Sequence, residues 1–162
     1  MSLYYNSIDN CYIQSGNDFT VSGINYPASW LSQANEAEKT AIGLQEVIAT
    51  NSPEDSEYYW VSENLDRATL TYINTPKDIL AVEEAQVTKV RNIAYSTLVN
   101  SDWMTARAFE TGTAIPAEWK AYRQDVRTVA QNAITAINNA NSVLEIKNIV
   151  SAIVWPTEPG AA

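Results

Sequence analysis

The spacing of hydrophobic positions changes close to residue 75. Before that point apolar and aromatic residues come in short runs broken by Gly, Pro and Asn clusters, and after it they recur every three or four residues. In the first part Phe19-Thr20-Val21-Ser22 and Ile24-Asn25-Tyr26 read as strands on either side of Gly23, and Pro27 ends the second by withdrawing a backbone donor. Asn35 with Glu38 three positions on is a capping box and Gly43 a left-handed stop, which predicts a brief helix over 36–42 before Leu44 to Ala49 returns to strand. Beyond the polar cluster 51–56, Tyr58 to Val61 and Ala68 to Ile73 have the aromatic and β-branched content of strands, with Glu63-Asn64-Leu65-Asp66 expected to turn between them.

The second part reads as helix. Thr75-Pro76-Lys77-Asp78 combines a capping hydroxyl, a proline suited to the first helical position and an acid in the first turn. Leu80, Val87, Val90, Ala94 and Leu98, widened by Ile79, Val82 and Ile93, carry that helix to about Val99. Asn100-Ser101-Asp102 interrupts it, and Gly112 and Pro116 bracket a loop. A second helix from about Pro116 has the stripe Trp119, Tyr122, Val126, Val129, Ala133 and Ile137, suited to antiparallel pairing with the first. Ser142-Val143-Leu144-Glu145 restarts a third helix to about Ile153, and Trp155-Pro156 stops it. The fold class expected is α+β: a small N-terminal module of strands and a short helix (1–75), an α-helical hairpin with a third helix (76–156), and a flexible tail (157–162).

Charge divides at the same place. Residues 1–75 carry ten acidic and two basic side chains, residues 76–162 nine and eight, for a net charge of -9. That balance argues against nucleic acid or an anionic membrane as partner, since phosphate binding needs clustered Lys and Arg. The acidic half reads equally well as solvated surface charge. Cys11 is the only cysteine, which excludes an intrachain disulfide and a thiolate metal site built from this chain alone and suits a reducing compartment. The N-terminus lacks a basic and apolar leader and no apolar run reaches membrane-spanning length, so the expected product is cytoplasmic.

Little points to catalysis. The chain has no histidine, which removes the commonest general base and most catalytic zinc sites, and it has no phosphate-cradling glycine loop or nucleophile elbow. Glu54 with Glu57 and the adjacent Glu83-Glu84 read as solvated carboxylates in a loop and on a helix. No catalytic residue, cofactor or metal ligand is assigned, and the chain is read as a non-enzyme. Trp119 and Arg123, four residues apart, share a helix face on which the guanidinium can lie over the indole, and Arg127 extends the ridge. Trp and Arg are also the residue types most enriched at interface hot spots.

The order Arg91, Ser101-Asp102-Trp103, Trp119 with Tyr122-Arg123-Gln124, Val126-Arg127 and Trp155-Pro156 resembles the C-terminal pattern of phage tail assembly chaperones and tail fibre assembly proteins. The resemblance covers roughly residues 85–157, and Tyr26-Pro27, Trp30-Leu31, Gly43 and Tyr59-Trp60-Val61 look, more loosely, like modules of small tail-associated proteins of marine phages. Met104 to Arg107 departs from the family's polar loop after Asp-Trp, and so does the third helix before Trp155-Pro156. The resemblance implies a protein that binds unassembled tail or tail fibre polypeptides in the host cytoplasm through Trp103, Trp119, Tyr122, Arg123, Arg127 and Trp155, without nucleotide. The alternative it leaves is a structural virion component retained at the tail, baseplate or fibre, and homo-oligomerisation through the aromatic surface stays open. Within the pattern, the Trp103 indole is expected to close the end of the hairpin against the second helix.

Overall fold

A computed structural model describes residues 2–160, which form an α+β protein dividing into two compact units, Met1–Thr75 and Pro76–Ala162. The division falls where the period and charge balance change.

In the first unit β1 (Leu3–Asn6), β2 (Cys11–Gln14) and β5 (Leu44–Glu46) make an antiparallel sheet in the order β2-β1-β5, with Tyr4 opposite Ile13 on one side and Glu46 on the other. β3 (Phe19–Val21) and β4 (Ile24–Tyr26) form a hairpin. Its two turn residues, Ser22 and Gly23, both have positive φ (50° and 82°), the turn geometry that matches the twist of antiparallel strands. Two short helices follow, α1 (Trp30–Gln33) and α2 (Glu36–Ala41), the second with both halves of the capping box between Asn35 and Glu38 formed. Tyr4, Ile13, Val21, Leu31 and Leu44 make the core, flanked by Phe19, Tyr26 and Trp30, whose rings lie 4.9–6.0 Å apart. β1, β2 and α1 have no counterpart in the sequence pattern, because strands of four residues and a single helical turn are shorter than one period of any reliable alternation.

Asn6 is fully buried and organises the turn between β1 and β2. Its side-chain oxygen accepts from the backbone N–H of Ile8 and of Asp9, each at 2.8 Å, while its amide donates to the Ile42 carbonyl at 3.1 Å. One side chain thus fixes the tight turn and ties it to the segment leaving α2. Gly43 follows at φ 76°, where a β-carbon would stand 2.7 Å from Ile8 Cγ1, so another residue there would be strained in its backbone and would have to displace the Ile8 side chain. Lys39, also buried, donates to Glu36 at 2.9 Å and to the Tyr4 hydroxyl at 3.3 Å, and its ammonium lies over the Tyr4 ring.

A second sheet holds β6 (Ile48–Ala49), β7 (Tyr59–Asp66) and β8 (Thr69–Pro76) in the order β6-β8-β7, with β6 parallel to β8. The expected turn at Glu63 to Asp66 is instead part of β7, and the chain reverses at Arg67-Ala68 with Arg67 at φ 53°. Polar residues are tolerated there because β7 is exposed from Trp60 to Asp66. The helix start also lies later than expected. Thr75 and Pro76 complete β8, and Asp78 caps the next helix by accepting from the Ala81 N–H at 3.0 Å. A proline that cannot donate ends a strand as readily as it opens a helix.

The second unit contains α3 (Ile79–Val99), α4 (Asp102–Thr111), α5 (Ala117–Asn138) and α6 (Val143–Ser151). α5 packs against α3 and α6, and α6 against α3. Val82, Val87 and Val90 of α3, Val126, Ala130, Ala133 and Ile137 of α5, and Val143 and Ile146 of α6 are buried. Leu80, assigned to the inner stripe, is instead 69% exposed, because the buried row of α3 runs through 82, 86 and 90 at four-residue spacing. Among the described residues the unit has four helices rather than three: after the interruption expected at Asn100-Ser101-Asp102, residues 102–111 form α4, closed by Gly112 in the left-handed region, and the loop expected between Gly112 and Pro116 follows it. Among the described residues no helix is long and apolar enough to cross a membrane. The expected tail, 157–162, ends outside the described residues at 161 and 162.

Two outcomes follow for the first unit. Asn6→Ala removes a fully buried side chain and its three hydrogen bonds, and it should destabilise the unit by about 2–4 kcal/mol in denaturant unfolding, against under about 1 kcal/mol for exposed Asn25→Ala. Alkali should weaken the same unit. Burial, with the charges of Glu57 and Asp55, pushes the Tyr58 hydroxyl up to about 12 from its ordinary 10, and hydrogen bonds to Glu36 and Tyr4 hold Lys39 above its usual value. Folded-state pKa values above the unfolded ones mean that the stabilisation is complete below pH 10 and is lost as pH rises toward 12. The Tyr58 share of this loss is about 1–2 kcal/mol once solvent screening is included. Tyr58→Phe should flatten that part of the alkaline decline, read from unfolding free energies measured across the range.

Candidate functional site

The chemistry-bearing residues of the second unit gather where α3 ends and α4 and α5 begin. α3 stops at Val99, leaving the carbonyls of its last turn without helical donors. Arg123, the seventh residue of α5 and only 6% exposed, supplies one. Its Nη1 donates to the Leu98 carbonyl at 3.1 Å and to the Ser101 hydroxyl, and its Nη2 pairs with Asp102 Oδ1 at 2.7 Å. Ser101 is fully buried and donates to the same Leu98 carbonyl at 2.8 Å. The cation therefore sits at the negative end of α3, and the carboxylate it holds occupies the first position of α4, where the helix dipole favours an anion. One guanidinium joins three helices.

That arrangement corrects two expectations. Arg123 does not lie over Trp119, because three polar acceptors at the α3–α4 junction offer a desolvated guanidinium more than one ring face does. Trp119 instead packs edge-on against Tyr122, with centroids 5.9 Å apart. Nor does Trp103 close the hairpin. It is 53% exposed and lies beneath the Arg107 guanidinium, 4.9 Å from the ring centroid, a stacking of residues four apart on α4. The residue of α4 that turns inward is Met104, and Ser101 fills the junction where the indole was expected.

Between α4 and α5 lies a groove of about 570 Å³. Ile115, Ala117 and Ala121 give it an apolar floor, and Lys120, Arg123 and Arg127 bring three cations to it, with no carboxylate among its lining residues. Arg127 is exposed and donates to the Arg123 carbonyl at 3.4 Å. Of the six residues in the expected partner-binding set, Arg123 and Arg127 line this groove, Trp119 and Tyr122 form a neighbouring aromatic pair, Trp103 stands outward on α4, and Trp155 is half-buried beyond α6. Burial and the nearby Glu158 carboxylate raise the Tyr122 hydroxyl above its ordinary value, so the segment after Trp155 passes the aromatic pair. Lys120, Ile115 and Phe109 were missed. Phe109 is 93% exposed, and a lone aromatic ahead of a glycine carries no periodic signal.

Among the described residues no group of three or more Cys, Asp or Glu is placed to hold a metal ion. No protein-family model, curated protein or solved structure matches the chain.

The staple and the exposed indole should separate in stability measurements. Arg123→Ala removes a buried side chain together with its three bonds and should cost about 2–4 kcal/mol. Trp103→Ala should cost under about 1 kcal/mol. Equal losses in thermal unfolding followed by helical circular dichroism would mean that the indole, not the guanidinium, holds the junction.

Proposed function

We propose that this chain is a bacteriophage tail-associated protein that binds unassembled tail or tail fibre polypeptides and acts without catalysis. The observation that carries this reading is α4. Ten residues of helix bury only Met104, present Trp103 and Phe109 to solvent, and are held in place at the N-terminus by Arg123. A helix that contributes so little to its own core and exposes two large aromatics has the composition of an interaction element. The resemblance supplies the class of partner. Its two halves, Ser101-Asp102 and Arg123, meet in one hydrogen-bonded cluster.

Mechanistically, such a protein covers apolar and strand-edge surface on a nascent tail polypeptide until oligomerisation provides a better partner, so its action follows mass balance and requires no nucleotide. Co-expression with tail and tail fibre polypeptides of the encoding phage tests it. The wild-type chain should raise the soluble yield of one of them, and a folded Trp103→Ala/Phe109→Ala variant should not. No change in solubility for any tail polypeptide would overturn the reading. Recovery of the chain in purified virions at fixed stoichiometry would move it to the structural class.

A further inference from the structure

Resting on that reading, we infer that the α4–α5 groove receives an acidic amphipathic helix of the partner, one with two carboxylates about two turns apart and leucine-like residues between them. Charge selects the occupant. Of the three cations at the groove, Arg123 is neutralised by Asp102, whereas Lys120 and Arg127 make no ion pair among the described residues. They stand seven residues apart on α5, which is about 10.5 Å along the helix axis. Carboxylates at positions i and i+7 of a helix lying along α5 have the same separation, and residues i+3 and i+4 then face the floor of Ile115, Ala117 and Ala121. The groove volume of about 570 Å³ suits a few side chains rather than a folded domain. An apolar floor suits leucine-like side chains and disfavours a bare phosphate chain.

The probe is a labelled synthetic peptide helix with Glu at i and i+7 and Leu at i+3 and i+4, beside versions carrying Gln or Lys in place of Glu, titrated into the full chain by fluorescence anisotropy. The Glu peptide should bind, the Gln version about tenfold more weakly and the Lys version not at all. Lys120→Glu/Arg127→Glu should weaken the Glu peptide at least about tenfold while leaving the melting temperature unchanged, since both side chains are exposed. Molar salt should weaken it as well. Equal binding of the Glu and Gln peptides, an unaffected double variant, displacement of the peptide by a short oligonucleotide, or self-association of the chain that the double variant abolishes would each overturn the inference. If the double variant still solubilises a tail polypeptide, the groove assignment fails and the proposed function stands. If neither chain does, the proposed function fails, whatever the peptide binds.

Discussion

A guanidinium taken out of water must recover its hydration in full from the protein, and the second unit is arranged around that requirement at Arg123. Its Nη1 and Nη2 donate to the Leu98 carbonyl in the last turn of α3, the buried hydroxyl of Ser101 and the Asp102 carboxylate at the head of α4. Because the fork is planar and rigid, the acceptors must be coplanar with it, and this fixes where α3 ends and the angle at which the chain enters α4. Without that constraint α4 would have little to hold it, since it buries a single side chain. The groove beside it and the outward Trp103 and Phe109 are consequences of the same bonds.

The first unit solves a different problem by similar means. Strands of three or four residues cannot hold one another by pairing alone, so turns carry much of the order. Asn6 supplies two hydrogen bonds to one of them and a third that ties it to the Ile42 carbonyl. Asp9 accepts from the Ser22 N–H, Asp18 from the Ala28 N–H, Asp55 from the Glu57 N–H, and Glu38 from the Asn35 N–H. Glu36 pairs with Lys39. At least half of the ten acids in this half of the chain are therefore tied into turns, a helix cap or an ion pair, and its acidity needs no cationic partner to explain it. Asn51 extends the principle, bonding both the N–H and the carbonyl of Tyr72 at 2.8 Å as a strand would, and so shields one side of β8.

In the second unit Lys120 and Arg127 lie beside an apolar floor and make no ion pair among the described residues. Lys120 and Arg127 lie on the solvent side of α5, while Val126, Ala130, Ala133 and Ile137 face α3 and α6. A single helix thus serves as core element on one face and carries the groove cations on the other, which is why its sequence reads as amphipathic without showing which polar residues matter.

Sequence alone determined what depends on neighbours within one or two turns of chain. The α+β order, the capping box at Asn35 and Glu38, the Ser142 cap that accepts from the Glu145 N–H, the inner stripe of α5 and the left-handed Gly43 all follow from local periodicity or backbone angle, and each can be read residue by residue. The site was legible in its residue types, Trp, Tyr and Arg, but not in their roles. Tertiary structure decided those, because Arg123 had to choose between a ring four residues away and acceptors more than twenty residues away, and a buried charge goes where the most acceptors converge. With Ser101 in the junction, the Trp103 indole lies outward against Arg107 of its own helix, and pairing of β8 within its sheet carries the strand through Thr75 and Pro76, so that α3 starts at Asp78. There a sheet partner outweighs a local capping preference worth about 1 kcal/mol.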